Sequence, residues 1–317
     1  MKISVVIPTY NRAALIGKTL QSVLAQTRLP DEIIIADDGS TDDTAAVVAA
    51  YAPHARFVSR RGGSAALARA LGSEYAEGDA WLFLDSDDLL CPRALETLVR
   101  ALDSRPQAAL AYCASQTVDE DGVVTEELWQ VGNETESDLL WEALARQNFI
   151  RSPGCVLLRR AAFEQVGGWD TDIWGVEDWD LWLKLAEPTG ARFVRVAEPL
   201  FQYRIHGAGL SQNRERMYDA MRDMYRRHQA RYPLDHPRSR LLTDLLIRFP
   251  ERTPPPNENV PVPDSATRTI PPIAALSARH RFLRVFLERS GVARAYRRLP
   301  YRMRIGLRRV FGVDVSA

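Results

Sequence analysis

The sequence predicts an α/β fold with a mostly parallel central sheet flanked by helices. Short apolar runs rich in β-branched residues recur through the first half of the chain, with helix-like segments between them. This alternation is typical of β-α-β units. Three of the runs end in polar, mainly acidic segments, which favours a ligand site at the carboxyl ends of the strands.

The strands of the first half are predicted from five apolar runs that we expect to be buried on both faces. They cover residues 3–7, 32–36, 55–59, 80–84 and 108–112. Two apolar stripes at helical spacing predict helices after the first and fourth strands. The stripes are Ile16, Leu20, Val23 and Leu24, and, beyond Pro92, Leu95, Leu98, Val99 and Leu102.

The second half is less regular, and it ends in two segments of unusual composition. Strands are predicted at 154–159 and 192–197, and helices over 178–187 and 211–231. Eight prolines fall between residues 249 and 272, a density that excludes core structure. We therefore expect one domain over 1–232, with two halves that meet at about residue 113. A Pro-rich linker is predicted over 233–272 and a basic tail over 273–317.

The tail is predicted to meet an anionic partner. Residues 273–317 hold 11 Arg against two acids, although the whole chain has a net charge of zero. Arginines interleaved with Phe, Tyr and Leu are typical of an interfacial amphipathic segment. An anionic membrane surface is the favoured partner, and packing on the acidic body or on a partner subunit is the alternative. No nucleic acid is expected.

Cysteine content and hydropathy predict a cytoplasmic protein. Cys91, Cys113 and Cys155 are too few and too widely spaced for a disulfide framework, so each is expected to be a small core residue. The first residues become polar too early for a signal peptide, and no apolar run reaches the ~18 residues that span a bilayer.

The segment after the fourth strand is the strongest indication of chemistry. Asp85, Asp87 and Asp88 directly follow an apolar run, where their mutual repulsion and desolvation are costly. A hard divalent cation suits such carboxylates, and a cation suits a diphosphate. Asp88 is also interpreted as a residue that starts the next helix.

Six segments, in this order, resemble the family 2 glycosyltransferases of the GT-A fold over about residues 1–210. They are SVVIPTYNR, IIIADDGSTDDT, ALARALG, WLFLDSDDLLCP, VGGWDTDIWGVEDWDLWLKL and YRIHGAGLS. The family usually has Asn where this chain has Ala70, directly after Arg69.

The resemblance implies a nucleotide-sugar half at about 1–113, an acceptor half at about 114–232 and roles for individual residues. Asp87 would ligate Mg²⁺ or Mn²⁺, with Asp85 and His206 as further ligands, and Asp178 would be the general base. Asp38 would accept a hydrogen bond from the nucleobase. The other implied substrate-binding residues are Thr9, Tyr10, Asn11, Arg69, Asp85, Ser86, Trp169 and Glu177. Simpler readings remain for several: a solvated helix residue for Arg69, helix caps for Glu177 and Asp178, core packing for Trp169 and a structural role for His206.

The predicted function is that of a metal-dependent, inverting glycosyltransferase of the hexosyl or deoxyhexosyl class. It would move a sugar from a UDP or dTDP donor to a hydroxyl of a glycan or lipid-linked acceptor, in cell-surface polysaccharide synthesis. One alternative is a phosphotransferase of the haloacid dehalogenase type, which leaves the segments after the first two strands unexplained. A non-catalytic nucleotide-sugar-binding scaffold is the other. A dinucleotide-binding fold is excluded because no G-x-G-x-x-G follows the first strand.

Overall fold

The computed structural model describes residues 1–119, 122–129, 139–188, 191–205 and 214–248. Met1–Leu246 form one compact unit. Four strands of its first half are β1 (Ile3–Thr9), β2 (Glu32–Asp37), β3 (Arg56–Ser59) and β4 (Ala80–Phe83). They lie in the order β3-β2-β1-β4, and every neighbouring pair is parallel. Helices α1 (Ala13–Leu24), α2 (Thr44–Tyr51) and α3 (Ala65–Tyr75) connect them, which confirms the predicted β-α-β alternation.

The core of this half follows the predicted apolar pattern, with exceptions at Leu24 and in β3. All seven residues of β1 are buried, and so are Ile16, Leu20 and Val23 of α1, whereas Leu24 is exposed. Helix α3 packs tightly on the sheet because Gly72 carries no Cβ, which would otherwise collide with Val6. The expectation that all strands are buried on both faces is wrong for β3. In the described chain β3 pairs only with β2, and as an edge strand it leaves Phe57 37% exposed.

The second half turns the sheet into a mixed one. Its strands are β5 (Leu89–Leu90), β6 (Leu110–Val118), β7 (Val124–Trp129), β8 (Val156–Arg159) and β9 (Phe193–Arg204). Strand β8 lies between β4 and β6 and is antiparallel to both, while β9 runs parallel to β6. Strand β5 pairs antiparallel with β9, and β7 with β6. Within the described residues the strands form one nine-stranded sheet, and its parallel part carries the three polar loops.

The helices of the second half are α4 (Ala94–Asp103), α5 (Leu140–Arg146), α6 (Arg160–Gln165), α7 (Glu177–Ala186), α8 (Arg214–Gln229) and α9 (Pro237–Arg248). All four residues of the predicted α4 stripe are buried. Of the cysteines, Cys113 and Cys155 are buried as expected, whereas Cys91 is partly exposed.

Helix α9 corrects the predicted start of the linker. The linker was expected from residue 233, but residues 237–248 are helical and bury Leu242 and Leu245. Pro237 fits because proline is tolerated at the first position of a helix, and the prolines that indicate a linker begin only at Pro250. The remaining linker, the basic tail and His206 lie outside the described residues. Among the helices that the structure describes, none has the length and apolar character needed to cross a bilayer.

Candidate active site

The candidate site lies at the carboxyl edge of β2, β1 and β4. Because β1 pairs in parallel with both neighbours, the loops that follow the three strands emerge on the same side. They begin with Tyr10 after β1, Asp38 after β2 and Asp85 near the end of β4. The structure therefore brings together polar segments that are more than 70 residues apart in the sequence.

The first two loops are joined by hydrogen bonds that use several predicted site residues. Asn11, with φ of 50°, donates its backbone N–H to Ser40 Oγ at 2.8 Å, and its Oδ1 accepts the Thr41 N–H at 2.8 Å. Thr9 is buried, and its hydroxyl has no hydrogen-bond partner in the described chain. Tyr10 is 48% exposed beside it. Asn11 thus supports the loop, whereas Thr9 and Tyr10 retain polar or aromatic groups that a ligand can use.

Asp38 is held by a glycine loop. Its Oδ1 accepts the backbone N–H groups of Gly62 and Gly63, and the Gly63 N–H also lies 2.9 Å from Oδ2. The Asp38 side chain is nearly buried. A contact between Asp38 and a nucleobase stays a prediction. The base would have to donate to a carboxylate lone pair that the Gly62 and Gly63 N–H groups do not use.

The acidic loop after β4 divides its three carboxylates among different partners. Asp85 contacts Arg69 and Asp87 contacts Arg12, with 3.5 Å between Arg12 Nε and Asp87 Oδ2. Asp88 is buried and accepts the backbone N–H of Arg204, at the end of β9, at 3.0 Å. Burial, together with repulsion from Asp87 and Asp85, raises the pKa of Asp88 well above its usual value.

These contacts correct one interpretation and refine another. Asp88 does not start a helix, because it is followed by the short strand β5 and its carboxylate ties the acidic loop to β9. Ser86 is buried, and its carbonyl accepts the Thr19 hydroxyl of α1 at 2.9 Å. The loop is therefore fixed from both sides, and Asp85 and Asp87 are its partly exposed carboxylates.

Arg69 is the central cation of the site. Its Nη2 lies 2.5 Å from Asp85 Oδ1 and its Nη1 lies 2.5 Å from Glu177 Oε1. The side chain is only 6% exposed, so the reading of Arg69 as a solvated helix residue is wrong. Its two carboxylate partners hold the pKa of Arg69 above its usual value despite burial. Arg69 thereby links the acidic loop to the first turn of α7.

The Glu177–Asp178 pair begins helix α7. Glu177 is buried, with Oε1 on Arg69 and Oε2 without a hydrogen-bond partner in the described chain. Asp178 Oδ1 accepts the N–H of Trp179 at 2.7 Å. Desolvation and the neighbouring Glu177 raise the pKa of Asp178 to about 7, against the opposing effect of Arg69. A carboxyl group with this pKa exchanges protons readily near neutral pH.

Trp169 is a packing residue in this structure. It is 6% exposed and lies edge-on to Phe83, with the ring centroids 4.9 Å apart. The guanidinium carbon of Arg69 stands 5.4 Å from the Trp169 ring centroid. The Trp169 ring therefore packs against the Arg69 guanidinium. Stacking of a sugar on Trp169 would require this packing to change. Trp174 is covered by Arg216 at 3.6 Å.

The donor set suits a hard cation that binds together with a nucleotide. Asp85 and Asp87 supply the carboxylate oxygens that Mg²⁺ and Mn²⁺ favour, and Mg²⁺ is usually held by one or two carboxylates plus substrate phosphates. No group of three or more His, Cys, Asp or Glu side chains with metal-binding geometry occurs in the described part of the chain. Two carboxylates fit a shared protein–phosphate site better than a closed protein cage.

Two features of the site were missed by sequence reasoning. Arg12 stands in the first segment of the resemblance, but no spacing rule connects it to Asp87, 75 residues away. Behind α7, the buried Asp180 contacts His228 Nε2 at 2.9 Å and Lys184 Nζ at 2.8 Å, and these partners lower the pKa of Asp180. The Asp180–His228 pair joins α7 to α8. Asp180 stands in the fifth segment of the resemblance, but no sequence pattern connects it to His228, 48 residues away.

The architecture has counterparts among solved glycosyltransferases. The chain superposes on Staphylococcus aureus TarS in complex with UDP with a TM-score of 0.59 and 22% identity, covering 78% of this chain and 71% of that one. A mannosyltransferase from Pyrobaculum calidifontis, in complex with GDP-Man and Mn²⁺, gives a TM-score of 0.57 and 20% identity over 78% and 69% of the two chains. At these identities the likeness shows a GT-A-type fold.

Sequence comparison gives the family. Residues 4–167 match the model of glycosyl transferase family 2, and the chain belongs to that family. An uncharacterised protein from Mycobacterium tuberculosis is 32% identical over 206 residues, which cover 61% of this chain and 64% of that protein. The chain therefore spans less than two thirds of the length of this relative.

Proposed function

We propose that the protein is a metal-dependent, inverting glycosyltransferase that uses a nucleotide diphosphate sugar of the UDP or dTDP type. The acceptor would be a hydroxyl of a glycan or lipid-linked glycan, with a role in cell-surface polysaccharide synthesis. The observation that carries the proposal is the placement of Asp85 and Asp87 at the same sheet edge as Asp38, with Asp178 linked to them through Glu177 and Arg69.

The described residues support a division of labour. Asp85 and Asp87 would hold Mg²⁺ or Mn²⁺, with His206 as a proposed third ligand, and the ion would neutralise the diphosphate as it leaves. Thr9 and Tyr10 would line the base and ribose, and Asp38 would accept the N3–H of uracil or thymine. TarS binds UDP and the Pyrobaculum enzyme binds GDP-Man with Mn²⁺, so relatives support a nucleotide and a metal but differ in the base.

Asp178 would perform the proton transfer. An acceptor hydroxyl that attacks the anomeric carbon loses its proton as the new bond forms, and a carboxylate within hydrogen-bond reach can take it. The raised pKa of Asp178, about 7, makes its carboxylate a stronger base than an ordinary aspartate. A single base and one displacement favour inversion of the anomeric centre.

The two alternatives have weaker support. A phosphotransferase of the haloacid dehalogenase type needs a free nucleophilic aspartate, whereas Asp85 is bound to the buried Arg69, and the family assignment argues against it. A non-catalytic scaffold has no need for a carboxyl group with the pKa of Asp178. A hexosyl or deoxyhexosyl donor and a cytoplasmic location at the inner face of the membrane remain part of the proposal, supported by the family resemblance and the basic tail.

The proposal is tested by calorimetry of UDP and ADP with and without Mn²⁺, on the wild-type protein and on Asp87→Ala. We expect the wild type to bind UDP more tightly than ADP, and Mn²⁺ to strengthen UDP binding. Asp87→Ala should lose the part of the UDP affinity that depends on Mn²⁺. Asp103→Asn, which removes an exposed carboxylate outside the acidic loop, serves as the charge control. Metal-dependent UDP binding that survives in Asp87→Ala would disprove the metal assignment, and equal binding of ADP and UDP would disprove the role of Asp38.

A further inference from the structure

In the described chain, the side chains of two arginines pair with carboxylates of the acidic loop, and the structure holds these two side chains in very different ways. Arg69 makes two 2.5 Å contacts and is 6% exposed. Arg12 Nε lies 3.5 Å from Asp87 Oδ2, and the Arg12 side chain is 23% exposed. Among the described residues, its guanidinium donates one hydrogen bond, to the Asn11 carbonyl at 3.4 Å. Charge-assisted hydrogen bonds usually measure ~2.7–2.9 Å. The Arg12 guanidinium is therefore loosely held, whereas that of Arg69 is locked.

The backbone of Arg12, in contrast, is fixed at the site. Its N–H donates to the Thr44 hydroxyl at 2.9 Å, and the next N–H, of Ala13, donates to Asp42 at 3.0 Å. Arg12 directly follows the β1 loop, and Asp87 lies in the loop of the adjacent parallel strand β4. Because the backbone at Arg12 is anchored and its guanidinium is weakly bound, the guanidinium can change partner without a movement of the loop.

The Arg12 guanidinium pairs with Asp87, which is the carboxylate that the proposed function assigns to the metal. A divalent cation coordinates a carboxylate oxygen at ~2.0–2.6 Å, so a cation on Asp87 and a guanidinium at 3.5 Å would repel each other strongly. Both cannot keep these positions. A nucleotide diphosphate arriving with the cation brings negative oxygens to the same edge, and guanidinium groups bind phosphate oxygens well.

We infer that Arg12 is an exchangeable counter-charge. In the free protein it neutralises Asp87, and when the nucleotide–metal complex binds, the cation takes Asp87 and Arg12 turns to an oxygen of the diphosphate. This inference rests on the proposed function, because it takes Asp87 to be a metal ligand. It assigns to Arg12 a positioning role that makes cation binding depend on the nucleotide: without a diphosphate, Arg12 competes with the ion.

The exchange predicts effects of opposite sign in one variant. Arg12→Gln removes the competing charge, so Mn²⁺ alone should bind about threefold to tenfold more tightly than to the wild type. The same variant lacks the guanidinium that would meet the diphosphate, so UDP in saturating Mn²⁺ should bind about threefold to tenfold more weakly. Arg12→Lys keeps the charge and should lie near the wild type in the first measurement. These factors correspond to ordinary single-charge contacts.

The measurement is calorimetry of Mn²⁺ alone, and then of UDP in saturating Mn²⁺, on the full chain. Arg93→Gln is the matched control, because Arg93 is exposed and pairs with Glu96 at 3.7 Å, so it removes the same charge away from Asp87. Tighter Mn²⁺ binding together with weaker UDP binding, in Arg12→Gln alone, would support the exchange. Unchanged or weaker Mn²⁺ binding by Arg12→Gln would overturn the competition, and unchanged UDP binding would overturn the transfer to the diphosphate.

The same titrations distinguish a failure of the proposed metal site from a failure of the Arg12 exchange. If UDP binding by the wild type does not depend on Mn²⁺, and Mn²⁺ does not bind alone to the wild type or to Arg12→Gln, the metal site itself is wrong. The wild type can show Mn²⁺-dependent UDP binding while Arg12→Gln and the control Arg93→Gln bind Mn²⁺ and UDP with the same affinities. In that case the metal site stands and only the role of Arg12 fails.

Discussion

At the scale of single residues, the site depends on carboxyl groups whose surroundings set them apart. Asp88 is buried behind the loop, Asp85 is neutralised by Arg69, and Asp178 sits beside Glu177 with its pKa raised to about 7. Of these three aspartates, Asp88 anchors β9, whereas ligand binding by Asp85 and proton exchange by Asp178 are the tasks that we propose. Position relative to cations and solvent decides which task each one can perform.

The base assignment leads to a prediction for Asp178→Asn. We expect this variant to keep nucleotide binding and to lose turnover by about two to four orders of magnitude, the usual contribution of a general base. In the wild type, kcat/KM should rise with pH and level off above pH 7, because only the ionised carboxylate accepts a proton. Steady-state kinetics across pH 5–9, with UDP calorimetry beside them, provide the measurement. Turnover near the wild-type level would exclude Asp178 as the base.

The same pKa predicts how Asp178 affects stability. A carboxyl group whose folded pKa is raised above its unfolded value favours folding below the unfolded value, and this advantage is lost as pH rises through the folded pKa, here about 7. The stabilising effect of Asp178→Asn on the metal-free protein should therefore be larger at pH 8 than at pH 4, by up to ~4 kcal/mol, since each unit by which the pKa is raised corresponds to ~1.4 kcal/mol. Urea denaturation at the two pH values measures it. An equal change in stability at both would contradict the raised pKa.

At the scale of elements, Arg69 is the link that holds the two halves of the site in register. It extends from α3 to the acidic loop after β4 and to the first turn of α7, across a separation of 108 residues in the case of Glu177. The aromatic residues beneath it, Trp169 and Phe83, leave it little room to move. The arrangement fixes the distance between the acidic loop, which is the proposed metal site, and the proposed base.

We predict that Arg69→Met destabilises the fold as well as the site. Removing one partner of a buried ion pair leaves uncompensated charge and costs ~3–5 kcal/mol. Glu177→Gln in the same background should recover part of that loss, because it removes one of the stranded charges. Arg93→Met is the matched control, since Arg93 and its partner Glu96 are 56% and 46% exposed and exposed pairs contribute at most ~1 kcal/mol. Equal unfolding free energies for Arg69→Met and Arg93→Met, by urea titration, would refute the buried bridge.

The sequence predicts the elements of the first half well because their patterns are local. Apolar runs and stripes identify β1, β2, β4, α1 and α4 within a few residues. Strand β3 was expected to be buried, but its exposure depends on its place at the sheet edge, which no local pattern contains. Helix α9 was missed because the prolines that follow it dominated the composition of the region. Both the exposure of β3 and the formation of α9 therefore depend on tertiary contacts that the local sequence does not contain.

In the candidate site, too, local motifs identify the residues, whereas the contacts between them depend on the tertiary structure. Motif order identified Asp38, Asp85, Asp87 and Asp178, and the structure brings their segments together. The contacts that orient them, Arg12 with Asp87 and Arg204 with Asp88, join residues far apart in sequence and have no spacing that could have predicted them. Whether a side chain such as Trp169 packs or faces a ligand was likewise open until its neighbours were known.

At the scale of the whole molecule, charge is distributed unevenly along the chain. Residues 273–317 carry an excess of nine positive charges, so the rest of the chain carries the balancing negative excess. The acidic site belongs to the compact unit Met1–Leu246. A basic terminus on an acidic enzyme body offers a means of keeping the site near an anionic surface, where a lipid-linked acceptor would be found.

We predict that the tail binds anionic membranes. Basic residues near such a surface contribute about 1 kcal/mol each, and the interleaved aromatic and aliphatic residues can add apolar contact. The test is co-sedimentation of the full chain with vesicles of anionic or neutral lipid. The tail variant replaces Arg297, Arg298, Arg302 and Arg304 with Gln, and its control replaces four arginines of the body: Arg60, Arg93, Arg100 and Arg240. Pelleting on anionic vesicles should fall with salt and fall further in the tail variant alone. Equal pelleting of both variants would mean that the body or general charge is responsible, and no pelleting of the wild type at low salt would exclude membrane docking.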